Sequence, residues 1–207
     1  MMSWRNIFLL IGFLLGTKNA FCQADTSQQK IITVHFLYGS KPAHHCKQIE
    51  TKRFGGIHGG HVSVQIDSMI FSFRPKEGWH IISRHHKIEG GYVLEKASDW
   101  AKDTVGNQYT SIRIPISDSQ YVALKNLETK FLAKSPYDYA FFGMRCASAA
   151  ADVLSQIGIL KKRSNFGYIL KDFYPKRYRR KLLRYAKCHN CEIIRKSGCK
   201  TRKWERE

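Results

Sequence analysis

Apolar and polar residues alternate along the first half of the chain and recur at helical spacing along the second. Ile31–Tyr38 is a β-branched and aromatic run that reads as a strand. His61-Val62-Ser63-Val64-Gln65-Ile66 alternates strictly, the pattern of a half-buried strand. Asp67-Ser68 is a tight turn, and Met69–Phe73 is the returning strand of a hairpin. Further strands are expected at His80–Ser83, Gly91–Lys96 and Ser111–Pro115, and a loop across Gly39–Gly60. Asp118 or Ser119 caps a helix whose apolar positions are Tyr121, Leu124, Leu127, Phe131 and Leu132, closed by Ser135-Pro136. Tyr137–Arg145 reads as a loop, Cys146–Ile157 as a second helix ended by Gly158, and basic Lys176–Lys187 as a third, exposed helix. Strands followed by helices indicate an α+β fold.

Composition narrows the class. The chain has 207 residues, 43% of them hydrophobic, which is enough to bury a core and excludes disorder along the whole length. No run of 18 apolar residues occurs, so a multispanning membrane protein is excluded. Met1 to Ala24 has the form of a secretory signal: Arg5, the apolar core Ile7–Leu15, then Ala20-Phe21-Cys22 before a cut at Gln23, with a cut after Ala24 as the alternative. The expected organisation is a signal peptide over 1–22, one domain over 23–160 and a basic, Cys-containing extension over 161–207. The expected location is periplasmic or extracellular. Charge is concentrated at the end: of the formal +19, Lys161 to Glu207 supplies +13, with 17 Lys and Arg against four acids. Such a segment suits an anionic surface or polymer; a solvated tail explains it equally well.

Two short blocks carry candidate chemistry. In Gly55-Gly56-Ile57-His58-Gly59-Gly60-His61, glycines surround a histidine and allow a sharp turn into the strand that His61 opens. In Phe142-Gly143-Met144-Arg145-Cys146-Ala147-Ser148-Ala149-Ala150, a cysteine begins a helix of small residues. A helix N-terminus offers unpaired amides and partial positive charge, both of which favour a thiolate. An imidazole beside it can take the proton, so Cys146 and His61 form a plausible acyl-transfer pair. Paired in this way, the thiol would ionise below its free value. A small buried core cysteine is the plain alternative. The spacing of His58 and His61 offers no matching carboxylates, and neither a metal nor another cofactor is called for. The tail motif Cys188-His189-Asn190-Cys191 with Cys199 is compatible with zinc, a redox pair or a disulfide, and export favours the disulfide. No specific nucleic-acid partner is indicated.

His61–Ile66, then Tyr137-Asp138-Tyr139, then Arg145-Cys146-Ala147-Ser148 resemble the papain-like NlpC/P60 superfamily, and within it the circularly permuted branch in which histidine precedes cysteine. The resemblance spans about Ile31 to Ile157. It implies an antiparallel sheet packed against the helix that bears the nucleophile, with Cys146 as nucleophile and His61 as base. It also implies cell-envelope peptides or lipids as substrates. The family's third polar residue on the following strand would be Ser72, with Gln65 behind it; the family's usual Asn-Cys is Arg145-Cys146 here. The rival class is a non-catalytic binding protein that docks on anionic surfaces through its basic tail.

Overall fold

A computed structural model describes residues 29–38 and 60–198. The proposed signal segment, His44, His45, Cys46, His58 and Cys199 lie outside the described residues. The expected α+β arrangement is observed. The main sheet has six strands in the order β5-β3-β2-β1-β6-β8. They are β1 (Lys30–Leu37), β2 (His61–Ile66), β3 (Met69–Pro75), β5 (Gly90–Lys96), β6 (Tyr109–Ile116) and β8 (Glu192–Lys196), and every neighbouring pair is antiparallel. A separate pair of short strands, β4 (His80–Ile82) and β7 (Ala140–Phe142), runs parallel. Five helices complete the described residues: α1 (Ala97–Asp103), α2 (Asp118–Ala133), α3 (Cys146–Gln156), α4 (Asn165–Asp172) and α5 (Pro175–Cys188). None of the described helices is long and apolar enough to cross a membrane.

The alternation in β2 places its two faces in different environments. Val62, Val64 and Ile66 join Ile32, Val34, Phe71, Phe73 and the alanines of α3 in the main core. Leu37, Ile70 and Trp100 form a smaller cluster, with α1 supplying the tryptophan. α3 is buried from Cys146 through Ser155. A helix enclosed on all sides has room only for small residues where neighbours come close, which accounts for Ala147, Ala149, Ala150 and Ala151. Its position is tied to α2 through the caps. Ser117 Oγ accepts from the Gln120 amide at 3.2 Å, Gln120 Oε1 accepts from the Ser117 amide at 3.0 Å, and Gln120 Nε2 donates to the Ile157 carbonyl at 3.0 Å. The cap is therefore Ser117, one residue before the positions expected.

Residues 161–198 belong to this fold. β8 pairs with β6 as an edge strand, and Tyr178, Leu182 and Ala186 of α5 enter the main core. This corrects the expectation that the basic helix is exposed: apolar positions four residues apart bury one face of α5. Arg179, at 2% exposure, lies 3.8 Å over the Tyr38 ring. Lys181 pairs with buried Asp172 at 3.0 Å. Two helices and a strand arise where no element is expected from the sequence: α1, α4 and β8. β7 likewise occupies part of the expected Tyr137–Arg145 loop.

Candidate active site

The site starts at a glycine. A Cβ on Gly60 would lie 1.4 Å from the Leu37 carbonyl oxygen, so no other residue fits without displacing β1. This close approach delivers the chain into β2, with His61 directly opposite Leu37. His61 therefore shares the face of Leu37, while Val62 turns into the core beside α3.

The Cys146 sulfur meets the peptide that joins these two residues. The amide dipoles of Val62, of Ala147 and of Cys146 itself, at the start of α3, lie close enough to favour its anion. The Arg145 charge is also close enough to favour the anion. Ser148 fixes this helix start: its Oγ accepts from the Arg145 amide at 2.7 Å and donates to the Arg145 carbonyl at 3.0 Å. The two residues singled out in the sequence, Cys146 and His61, thus lie at one end of the sheet but towards opposite faces of it: α3 packs on the Val62 face, and His61 takes the Leu37 face.

Their protonation differs from the expected ion pair. Burial pushes the Cys146 thiol above its ordinary range, outweighing the three amides and Arg145. Burial and the Arg74 guanidinium lower His61 to about 3. Arg74 sits across from His61 on the continuation of the β2–β3 register and is itself bonded to Glu95. Cys146 thus rests as a neutral thiol and His61 as a neutral imidazole.

Ser72 lies on the His61 side of β3, as expected, buried, and its Oγ has no hydrogen-bond partner among the described residues. Gln65 is committed elsewhere. His35 Nε2 donates to Gln65 Oε1 at 2.9 Å, and Gln65 Nε2 donates to the Asp67 carbonyl at 2.8 Å. With Nε2 carrying the proton, His35 Nδ1 accepts from Ser111 Oγ at 2.7 Å. The His35 ring lies tilted against Trp100, with centroids 4.4 Å apart, and is lowered by burial to about 4.

A second histidine pair has no counterpart among the sequence expectations. His80 Nδ1 donates to Asp138 Oδ2 at 2.6 Å, and the Arg84 and Glu89 amides each donate to the same carboxylate at 2.8 Å. Burial raises Asp138, but these hydrogen bonds outweigh it and hold the carboxyl below its usual range. The cluster fastens the loop before β5 to the segment leading into β7, and thus the chain that carries Arg145 and Cys146. Its members are 58 residues apart, with no local pattern to link them.

Compared with known proteins, the chain matches no family model, no curated protein and no solved structure. The site therefore rests on its own residues. No group of three or more metal-ligating side chains occurs among the described residues. Cys188 and Cys191 are free thiols, so the expected disulfide does not join them to each other. A cavity of about 200 Å³ at the C-terminal end of α2, between Lys76, Tyr92, Phe131 and Lys134, is lined by none of Cys146, His61 or Ser72.

Proposed function

We propose that the protein is an exported thiol-dependent hydrolase or acyltransferase of papain-like type, related to the permuted NlpC/P60 branch. It would act on an amide or ester of the cell envelope. The observation that supports this most is the buried Cys146 sulfur at the N-terminus of α3, where the amide dipoles of Val62, Ala147 and Cys146 favour its anion. A helix start that presents amides to sulfur also presents them to an oxyanion forming beside it. Cys146 attacks the carbonyl as His61 takes the thiol proton. The tetrahedral intermediate collapses, the amine or alcohol leaves with that proton, and an acyl thioester remains. Water or an acceptor, deprotonated by His61, then releases the acyl group and the thiol is restored. Ser72 is the candidate to orient the imidazole.

Because both partners rest neutral, proton transfer accompanies attack and does not precede it. Alkylation of Cys146 by iodoacetamide should therefore keep rising with pH beyond 9. His61→Gln should leave that rate within a few-fold while cutting turnover of an activated ester such as p-nitrophenyl acetate at pH 7 by about a hundredfold or more. Turnover in His61→Gln equal to wild type would remove His61 from the mechanism.

A second reading, an anionic-surface binder, is supported by α5. Arg177, Arg180, Arg184 and Lys187 are exposed and recur at three- and four-residue intervals, which sets them in one stripe. Replacing Arg180, Arg184 and Lys187 with Gln should release the protein from heparin resin at clearly lower salt, with esterase turnover unchanged. Unaltered elution would count against this stripe as a docking surface. Deleting the tail would be a poor test, since α5 and β8 complete the core and the sheet.

A further inference from the structure

Arg145 is a charged residue, only 7% exposed, immediately before the proposed nucleophile. Burying a cation is costly unless something compensates it. Asp138 is bonded to His80, Asp152 to Tyr137, and Asp172 to Lys181. Among the described residues no carboxylate pairs with Arg145, and no acceptor is bonded to its guanidinium. Instead the group is held between two rings, 5.6 Å from the Phe141 centroid and 4.7 Å from that of Phe173. Aromatic faces steady a guanidinium and leave the N–H donors at its edge unused. The group's charge also reaches the Cys146 sulfur.

From this arrangement, and resting on the reading of Cys146 as nucleophile, we infer that Arg145 is the recognition group for an anionic substituent of the acyl substrate. The substituent, a carboxylate or a phosphate, would sit beside the scissile carbonyl. A planar guanidinium with free N–H groups matches either oxyanion in bidentate fashion. The anion would supply the counter-charge that the fold withholds. Position follows from chain geometry: Arg145 is the N-cap residue of α3, so the anion would lie at the same helix end as the thiol.

Two alkylating agents that differ in charge test this. Iodoacetate carries a carboxylate beside the reacting carbon, and iodoacetamide is its neutral counterpart. Rates at Cys146 are followed by peptide mass spectrometry at one fixed alkaline pH and divided by the rates of N-acetylcysteine in the same buffer. Wild type should show a normalised iodoacetate-to-iodoacetamide ratio about tenfold above one. Arg145→Gln should bring the ratio near one, and Arg145→Lys should keep part of the preference because it retains charge without the planar fork. Lys187→Gln, which removes an equal charge elsewhere, should leave the ratio at the wild-type value. Thermal melts establish that each variant is folded.

An equal ratio in wild type and folded Arg145→Gln would overturn the anion site. Failure of both reagents to label Cys146 in wild type would instead overturn the reading of the nucleophile. Protection of Cys146 by N-acetylalanine points to a carboxylate, and protection by glycerol 3-phosphate to a phosphate. Protection by both marks a site open to either anion, and protection by neither, even at low salt, would overturn the anion site.

Discussion

The Cys146→Ala protein is expected to fold, to melt within a few degrees of wild type, and to lose esterase turnover by about a thousandfold or more. Only a sulfur atom is removed, from a helix already built of alanine, so the cavity left is small. The helix start keeps its Ser148 cap and its attachment to α2 through Gln120. A thioester, by contrast, cannot form without the sulfur. A folded Cys146→Ala protein that retained turnover would return Cys146 to the role of a small core residue.

A large loss of stability is expected on mild acidification. His35 is held at about 4 and His61 at about 3, against 6.5 for an unperturbed imidazole. Both are lowered by burial, so below pH 6.5 the unfolded chain binds protons that the folded chain does not. Each histidine then removes about 1.4 kcal/mol of stability per pH unit. The loss continues down to about 4 for His35 and about 3 for His61, where the folded form also takes up its proton. Two such groups approach the whole stability of an ordinary domain before pH 4. The loss of Asp138's hydrogen-bonded carboxylate adds to this only within the carboxylate range, at lower pH. Urea unfolding at pH 7.0, 6.0, 5.0 and 4.5 should show a steep fall. The fall should be much shallower in His35→Gln/His61→Gln. The same slope in that double variant would contradict the burial of neutral imidazoles.

What could be read from the sequence was local. The β2–β3 hairpin follows from strict alternation around Asp67-Ser68, and Asp67 does adopt a positive φ of 53° in the turn. The α3 helix follows from its small residues and from Gly158, whose φ is +79°. Cys146 and His61 were legible because each begins an element, one a helix and the other a strand. The His80–Asp138 bond was not legible, because two three-residue strands too short for any period bring its partners together. Nor was the buried face of α5, where basic residues outnumber the apolar ones that decide its packing. The neutral states of Cys146 and His61 depend on burial and, for His61, on Arg74 across the sheet, neither of which spacing discloses. Arg145 reads in sequence as a departure from the Asn-Cys pattern; its confinement between Phe141 and Phe173 is a property of the folded chain.

If Cys146 carries the acyl group, brief exposure of the whole protein to p-nitrophenyl acetate at pH 7 should leave it there. The most direct test quenches that reaction in acid and maps the site of acylation by peptide mass spectrometry. Cys188 and Cys191 are internal controls, since Cys188 is exposed and Cys191 partly so, while Cys146 is buried. The expected result is a single acetyl thioester on Cys146, formed faster than any on Cys188 and strongly diminished in His61→Gln. Acetylation of Cys188 or of surface lysines, with Cys146 unmodified, would contradict the assignment of Cys146 as nucleophile.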